Sequence, residues 1–366
     1  MWVERLEVAH VRNLSAVDLD LSPGLNLFWG PNGAGKTALL ESVHLLTRGR
    51  SFRGSRVQPL IQRGASDLLV RARVQDEARG STDVALAKTR EAGTDLRVAG
   101  EPERRLSAVA GLVPLQLFLP DGSNLVFGGP GERRQFLDWG VFHVKPPYLS
   151  HLQSYQRALR QRNALLATAG ASRRSELEVW TEQLDGLAEK VDAERREYVE
   201  ALRVELIAML RRLVSGGFDA ALEYRPGWPE GERLAAALGQ TLDRDVKFAS
   251  TQMGPHRAEL RLSTGSGSAA ESLSRGQGKL LASALRLAQV QLTRQLTGRS
   301  SLLLIDDLGA ELDRTHSHRF YELLADSSCQ VLATCVEAMS LAEFDTDRRA
   351  LFHVERGQIR TAGTAD

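Results

Sequence analysis

The chain has 366 residues, of which 47 are lysine or arginine and 46 are aspartate or glutamate, so its formal net charge is +1. This balance excludes a basic field over the whole molecule, and any surface for nucleic acid must be local. The only two cysteines, Cys329 and Cys335, and the lack of a long apolar run predict a reduced cytoplasmic protein without a membrane span.

The N-terminal residues predict two short strands. Apolar and polar residues alternate over 3–8 and 17–21, and the residues between them, 11–13, are typical of a turn. Arg12 in this turn is either a side chain that approaches a nucleotide or an ordinary exposed arginine, and the sequence leaves both readings open.

A glycine-rich stretch at residues 30–37 has the spacing of a phosphate-binding P-loop. Mostly apolar residues precede it, as in a buried parallel strand, and apolar residues recur at helical spacing after it. At such a strand-to-helix turn, backbone N–H groups and the helix N-terminus face phosphate oxygens. Lys36 is predicted to reach the β- and γ-phosphates of ATP, and Thr37 to ligate Mg²⁺. The predicted nucleotide-binding residues here are Gly30, Pro31, Asn32, Gly33, Ala34, Gly35, Lys36 and Thr37.

An arginine-rich segment follows over residues 48–63, and it contains no acidic residue. The segment is either a solvated loop or a phosphate contact, and the density of cations without acids favours DNA slightly. The predicted DNA contacts in it are Arg50, Arg53 and Arg56. Residues 68–74 and 82–88 then alternate like two antiparallel strands.

Two long helical patterns occupy the middle of the chain, after a helix that is predicted to begin beyond Pro130. Apolar residues share one face over 148–166 and form a heptad-like seam over 177–213. A break at 169–172 allows the two helices to fold back as an antiparallel hairpin. The second helix would be about 55 Å long at about 1.5 Å per residue, which indicates an arm rather than a crossover helix.

The charge of this arm is asymmetric. Residues 133–174 hold eight basic residues and one acidic residue, a local charge of +7, whereas residues 175–214 hold six basic and ten acidic residues, a local charge of −4. A charged helix face is commonly only solvated, but a +7 segment in a near-neutral protein favours contact with DNA phosphates. The predicted contacts are Arg133, Arg134, Arg157, Arg160 and Arg162.

The C-terminal part of the chain contains two adjacent aspartates that are predicted to belong to the nucleotide site. Residues 302–305 are apolar and run into Asp306 and Asp307, where a P-loop ATPase carries its second carboxylate. We expect Asp306 to ligate Mg²⁺ and Asp307 to orient or activate the attacking water as a base. The predicted catalytic residues are therefore Asp306, Asp307 and Lys36.

These segments, in this order, resemble the ATP-binding-cassette type of ATPase head. A head that is split by a helical hairpin is similar to the SMC, Rad50 and RecN group, and the resemblance is strongest to the RecF family of DNA replication and repair proteins. The motifs that carry this resemblance span nearly the whole chain: Gly49–Arg53, Gly131–Asp138, Tyr155–Leu166, Gly254–Arg257, Leu273–Gln277 and Ile305–Asp307.

The resemblance implies an α/β fold, with a P-loop and a mixed sheet in the head and an inserted antiparallel coiled-coil arm. It assigns residues 1–124 and 245–366 to the split head and residues 125–244 to the arm, and residues 308–313 look like the D-loop. It also implies that a serine–glycine signature closes on the γ-phosphate bound by a second subunit. The nucleotide-binding residues that this adds are Ser274, Arg275, Gly276 and Gln277.

The function implied by the resemblance is that of an ATP-dependent homodimer and recombination mediator. It would bind DNA at gaps or duplex–single-strand junctions during repair, replication and the SOS response, and promote RecA loading with RecO and RecR. Asp307 stands where transporter ATPases usually have glutamate, and Thr334 and Cys335 stand where they have a switch histidine. Since these two side chains would bond a γ-phosphate more weakly, we expect slow, DNA-stimulated hydrolysis used as a switch. Gln116 is a weak candidate for the Q-loop residue, and Asp121 is another.

Two other classes of protein remain open at this point. An ATPase subunit of a membrane transporter normally carries a much shorter helical subdomain than residues 125–244. A mainly architectural SMC-like clamp is expected to have a far longer coiled coil with a hinge, which the arm lacks.

Overall fold

The computed structural model describes residues 1–54, 56–78, 80–91, 93–169, 173–214, 218–308, 313–337, 344 and 346–362. The strands in these ranges are β1 (Trp2–Val11), β2 (Leu14–Asp20), β3 (Leu25–Trp29), β4 (Asp67–Asp76), β5 (Gly80–Thr89), β6 (Thr94–Val98), β7 (Glu101–Glu103), β8 (Leu115–Phe118), β9 (Ala220–Arg225), β10 (Glu259–Thr264), β11 (Gly267–Ser268), β12 (Leu302–Ile305), β13 (Gln330–Cys335), β14 (Arg349–Glu355) and β15 (Gln358–Ala362). The α-helices are α1 (Lys36–Arg48), α2 (Leu106–Leu112), α3 (Asn124–Phe127), α4 (Pro130–Val144), α5 (Tyr148–Ala169), α6 (Arg174–Leu213), α7 (Leu234–Gln240), α8 (Leu242–Phe248), α9 (Ala269–Ser272), α10 (Arg275–Thr297) and α11 (Arg314–Asp326).

The chain folds into two compact units. Unit 1 comprises Met1–Asp121 and Thr293–Asp366, and unit 2 comprises Gly122–Leu292. We predict the insertion at residues 125–244, but residues 122–124 and, more importantly, residues 245–292 also belong to unit 2. The physical reason is a strand pairing, because β10 lies antiparallel to β9 from Glu259 opposite Arg225 to Thr264 opposite Ala220.

A mixed sheet in unit 1 positions the predicted nucleotide residues. Its strand order is β15-β14-β3-β13-β12-β8, and every pairing except that of β14 with β15 is parallel. Strands β12 and β13 are buried along their whole length, which explains their nearly continuous apolar sequences. Because β3, β12 and β13 are parallel, their carboxyl ends meet at one edge of the sheet, where ligands bind in open α/β folds.

A second, antiparallel sheet in unit 1 contains the alternating segments of the N-terminal part, in the order β2-β1-β4-β5-β6-β7. The predicted strands at 3–8, 17–21, 68–74 and 82–88 are confirmed. One face of this sheet contributes to an apolar core that also contains residues of α1 and of the mixed sheet, such as Val8, Val70, Leu39 and Leu304. This burial of apolar area fixes the P-loop helix against two sheets.

Unit 2 contains the predicted helical hairpin. Helix α5 packs along α6, a helix of 40 residues. The side chain of His151 meets that of Glu194, and Arg162 meets Thr181, so a later residue of α5 faces an earlier residue of α6. The two helices are therefore antiparallel, while most of the predicted turn at 169–172 lies outside the described residues. None of the helices described here has the length and apolarity required to cross a membrane.

Candidate nucleotide site

The P-loop connects β3 to α1 in a conformation that depends on its glycines. The backbone φ angles of Gly30, Gly33 and Gly35 are 151°, 78° and 122°, all in a region that L side chains rarely adopt. A Cβ atom at Gly30 would lie 2.1 Å from the carbonyl oxygen of Val354. In the described structure no side chain caps the N-terminus of α1. The loop is thus a cradle lined by backbone N–H groups at the positive end of a helix, which suits a phosphate.

The side chain of Lys36 lies at the bottom of this cradle and is 9 % exposed. Its ammonium group donates hydrogen bonds to the carbonyl oxygens of Gly30, at 2.6 Å, and Pro31, at 3.0 Å. Burial lowers the pKa of Lys36, and the nearby Cys335, Asp307 and Asp306 oppose that shift. Since an ammonium group has three donors, one remains for a phosphate oxygen.

The P-loop threonine and the first acid lie together, although 269 residues separate them in the chain. Thr37 Oγ1 donates to Asp306 Oδ1 at 2.9 Å. Asp306 follows β12, and its backbone N–H bonds the carbonyl oxygen of Phe118 at the end of β8, 3.0 Å away. A hydroxyl beside a carboxylate is the oxygen donor set that Mg²⁺ takes in P-loop proteins.

Asp307, the second acid, has a left-handed backbone with φ of 62°. Its side chain is exposed and borders the same cavity as Lys36, Thr37 and Asp306. The cavity has a volume of about 450 Å³ and is large enough for the phosphates of a nucleotide. Its described lining is Arg12, Asn13, Asn32, Gly33, Ala34, Gly35, Lys36, Thr37, Ala38, Arg53, Pro120, Asp306, Asp307, Thr334 and Val336.

The two residues at the switch position already have hydrogen-bond partners within the protein. Thr334 Oγ1 accepts from the N–H of Asp307 at 2.8 Å, so its single proton is donated to Asp306 Oδ1 at 2.9 Å. Cys335 is 2 % exposed, and its thiol donates to the carbonyl oxygen of Glu337. Burial raises the pKa of Cys335 to about 11. Both donors are therefore engaged within the protein, and neither is free for a γ-phosphate.

The prediction of Gln116 as a candidate Q-loop residue is wrong. It is 4 % exposed within β8, opposite Leu303 of β12, and does not border the cavity. A polar residue inside a strand cannot be distinguished from a loop residue by its identity alone. In this segment the residue that borders the cavity is Pro120, next to the other candidate, Asp121.

Sequence reasoning missed the way in which residues 11–13 support the site. Asn13 donates to the carbonyl oxygens of Gly33 and Ala34 at 3.2 and 3.1 Å, which braces the P-loop. Arg12, with φ of 57°, forms a bidentate ion pair with the buried Glu41 of α1, at 2.9 and 2.7 Å. Arg12 therefore borders the nucleotide cavity in a fixed orientation. The sequence alone left open whether this arginine approaches a nucleotide or is an ordinary exposed side chain.

The signature motif in unit 2 begins helix α10 with a reciprocal cap. Ser274 Oγ accepts from the N–H of Gln277 at 3.2 Å, and Gln277 Oε1 accepts from the N–H of Ser274 at 2.9 Å. This is a capping box, in which a serine and a glutamine three residues later satisfy each other's backbone. Ser274, Arg275, Gly276 and Gln277 are all exposed. Of the predicted D-loop, residues 309–312 lie outside the described residues, and Asp313 caps α11 by accepting from the N–H of His316.

The family model for the RecF/RecN/SMC N-terminal domain matches residues 2–359. The chain is also 40% identical over 361 residues to the DNA replication and repair protein RecF of Pseudomonas syringae pv. tomato, across 98% of both proteins. The chain belongs to the RecF family. The resemblance predicted from the motifs is therefore confirmed, and with it the role of the family in DNA replication and repair.

Solved structures show the same fold. A structure of the recombination mediator protein RecF with ATP, from the RecFOR pathway, superimposes with a TM-score of 0.88 at 25% identity, over 99% of this chain and 98% of that one. An SMC head bound to the C-terminal winged-helix domain of ScpA superimposes with a TM-score of 0.61 at 17% identity, over 99% of this chain and 97% of that one. The predicted α/β ATPase head is confirmed, and this RecF-family chain has the fold of an ATP-binding ATPase.

One predicted DNA contact of the RecF-family chain is wrong. Arg162 is 1 % exposed, and its guanidinium bonds Asp245 Oδ2 and Thr251 Oγ1, both at 2.7 Å. Its Nε also donates to Thr181 at 3.0 Å. Arg162 holds unit 2 together from inside and cannot meet a phosphate, and its acidic partner lies 83 residues away in sequence.

The other predicted DNA contacts differ in whether their guanidinium groups are already bonded to other residues of the protein. Arg133 forms a bidentate pair with Glu259 at 2.8 and 3.0 Å, and Arg134 donates to the carbonyl oxygen of Ala258 at 2.8 Å. Both are half-buried and hold α4 against β10. The remaining arginines are exposed, and their guanidinium groups have no hydrogen-bond partner among the described residues: Arg50, Arg53, Arg56, Arg157 and Arg160.

Proposed function

We propose that this RecF-family chain is an ATP-dependent, DNA-binding recombination mediator of the cytoplasm. It acts at gaps or duplex–single-strand junctions in DNA repair, replication and the SOS response, where it promotes RecA loading with RecO and RecR. The observation that carries the ATP-dependent part is the hydrogen bond from Thr37 to Asp306, because it joins the P-loop to the second acid in one cavity. The family membership supports the DNA-repair part.

The cavity suits the binding and hydrolysis of ATP. The backbone N–H groups of residues 33–37 and the ammonium of Lys36 bind the β- and γ-phosphates. Thr37 and Asp306 are the residues that would hold Mg²⁺, which neutralises charge on the phosphates when it is bound. Asp307, at the cavity border, orients or activates the attacking water.

Hydrolysis is slow and is stimulated by DNA in this proposal. Thr334 and Cys335 already donate to groups of the protein, so the switch position offers no free donor to a γ-phosphate. Arg53 borders the phosphate cavity and belongs to the exposed arginines of the segment that follows α1. DNA bound to that segment therefore lies close enough to change the electrostatics of the site.

Two protomers complete each other's nucleotide sites in this proposal. The exposed start of α10 presents the hydroxyl of Ser274 and the N–H groups of Arg275 and Gly276, for which the described residues supply no acceptor, and these donors suit a γ-phosphate held by another protomer. A two-fold pairing supplies both missing halves at once. Nucleotide that binds the dimer more tightly than the monomer then drives association by mass action.

Sedimentation of the purified chain with ATP and Mg²⁺, with a slowly hydrolysed ATP analogue and with ADP tests this proposal. We expect a dimer with ATP and with the analogue, and a monomer with ADP. Ser274→Arg places bulk and charge at the capped helix start, so it should bind ATP as a monomer but fail to dimerise. Ser274→Ala loses the same hydroxyl without adding volume, so comparing it with Ser274→Arg separates the effect of bulk and charge from that of the lost hydroxyl. An unchanged mass in every nucleotide state, or dimers of the Ser274→Arg protein with ATP, would contradict the dimer mechanism.

A further inference from the structure

Thr334 makes contacts with three consecutive residues at the acidic end of β12. Its hydroxyl donates to Asp306 Oδ1 at 2.9 Å and accepts from the N–H of Asp307 at 2.8 Å. Its carbonyl oxygen accepts from the N–H of Leu308 at 2.6 Å. Thr334 is 1 % exposed, so these polar groups are paired inside the protein rather than with water.

We infer that Thr334 is a positioning residue for ATP hydrolysis, which sets the orientation of Asp306 and the backbone conformation of Asp307. The inference rests on the function proposed above, because it assumes that these two aspartates act on ATP and Mg²⁺. Thr334 itself borders the cavity, but its hydroxyl proton is donated to the carboxylate and not to a ligand.

The place of Thr334 in the sheet explains why it can act on both parts of the site. Strand β13 lies between β3, which leads into the P-loop, and β12, which leads into the two acids. In the parallel register Thr334 is opposite Phe28 of β3, and Ala333 is opposite Ile305 of β12. Its side chain therefore emerges at the sheet edge where the phosphate loop and the carboxylates meet.

Asp306 Oδ1 is held from two sides. Thr37 donates to it from the P-loop helix and Thr334 donates to it from β13, each at 2.9 Å. Thr37 is also the predicted Mg²⁺ ligand, so its hydroxyl oxygen has two tasks when the cation is present. Thr334 is not a predicted Mg²⁺ ligand, so its bond would hold the carboxylate of Asp306 whether or not the cation is bound.

The backbone of Asp307 depends on the same hydroxyl. Asp307 has a left-handed backbone with φ of 62°, a conformation that aspartate adopts more readily than most L residues, and a contact from a neighbouring strand selects it. The bonds from the N–H groups of Asp307 and Leu308 to the side chain and main chain of Thr334 supply that contact. Without the hydroxyl, the peptide of Asp307 loses its acceptor and the direction of its carboxylate is no longer fixed.

Thr334→Val removes the hydroxyl while it keeps the shape of the side chain, and Thr334→Ser retains the hydroxyl. ATP affinity without metal should change less than about twofold in both, since Lys36 and the P-loop are intact. For Thr334→Val we expect kcat to fall about tenfold and the Mg²⁺ concentration at half-saturation to rise, as for the loss of one hydrogen bond to a charged group. Thr334→Ser should restore both quantities to within about threefold of the parent.

Thr293→Val is a matched control, because Thr293 is 1 % exposed and the described residues give its hydroxyl no partner. This variant should leave kcat and the Mg²⁺ midpoint unchanged. Thermal melts of all variants show whether they fold, and Thr334→Ala replaces Thr334→Val if the latter does not.

An unchanged kcat and Mg²⁺ midpoint in Thr334→Val overturns the inference. So does a lower melting temperature with an unchanged Mg²⁺ midpoint, because that pattern marks a purely structural threonine. If the parent chain itself does not hydrolyse ATP, the proposed function fails instead. Binding of a fluorescent ATP analogue to the protein is then measured at increasing Mg²⁺ concentration. The Mg²⁺ concentration at half-saturation still decides the role of Thr334, because it depends on the position of Asp306 and needs no turnover.

Discussion

Two buried cations, Arg195 in unit 2 and Lys36 in unit 1, differ in the partners that the protein gives them. In unit 2 the guanidinium of Arg195 is 1 % exposed and bonds Asp138 at 2.7 and 3.0 Å, the hydroxyl of Tyr148 at 2.9 Å and the carbonyl oxygen of Pro255 at 2.8 Å. In unit 1 the ammonium of Lys36 bonds only two carbonyl oxygens of its own loop among the described residues. Arg195 is therefore paired with a carboxylate as well as with neutral oxygens, whereas the described residues give Lys36 only neutral oxygens as partners.

This difference separates structure from function. Removing a charge from water is repaid only by good geometry and several hydrogen bonds, which Arg195 and Arg162 have. Lys36 is desolvated, and no carboxylate of the described residues lies at bonding distance from it, while Asp306 and Asp307 lie nearby and oppose the fall of its pKa. A desolvated cation that borders a cavity is a candidate functional group, and we expect the phosphates of a nucleotide to be its missing partner.

The largest expected effect is on the stability of unit 2. Arg162→Ala leaves the fully buried Asp245 without its cation, and breaking a buried pair in this way destabilises a protein by about 3–5 kcal/mol. The free energy of unfolding is measured by urea titration. Arg160→Ala is the matched control, because Arg160 is exposed on the same helix and should change the value by less than about 0.5 kcal/mol. Equal losses in the two variants would show that the pair of Arg162 with Asp245 is not what stabilises unit 2.

The next effect is on nucleotide binding in unit 1. Lys36→Met removes the cation that faces the phosphates, and we expect ATP affinity to fall about 100-fold, which corresponds to about 2.7 kcal/mol. The free energy of unfolding without nucleotide should be unchanged or higher, because a desolvated ammonium group is lost. Calorimetric titration and urea titration measure the two quantities. If Lys36→Met loses stability but keeps its ATP affinity, Lys36 serves the fold and not the nucleotide, and the contrast with Arg162 is wrong.

The smallest effect concerns the exposed arginines of α5. Arg157→Ala combined with Arg160→Ala should reduce the slope of log affinity against log salt on duplex DNA by about 1.8, at about 0.9 for each phosphate contact. The control is Arg71→Ala with Arg73→Ala, which removes two exposed arginines that are already paired with Glu7 and Asp83. A slope that changes only in the control would place the DNA on the antiparallel sheet of unit 1.

Much of the nucleotide site could be predicted because its parts are local. The P-loop is a contiguous stretch whose glycines and lysine have a fixed spacing, and the two acids end an apolar strand. The parallel arrangement of β3 and β12 then requires their carboxyl ends to share an edge, so Thr37 and Asp306 meet as expected. The alternating strands and the heptad-like seam could also be predicted from the sequence, because backbone geometry sets the spacing of apolar residues along a strand or a helix.

Only the tertiary structure decided which charged and polar side chains are already used. Arg157, Arg160 and Arg162 lie within six residues of one helix, and the sequence gives no sign that the third faces a buried aspartate 83 residues away. Thr334 likewise occupies the switch position by sequence, yet its hydroxyl group already donates its hydrogen bond to Asp306. The pattern of one segment fixes which elements it forms, whereas the partners of a buried polar group come from distant segments that only packing brings within hydrogen-bonding distance.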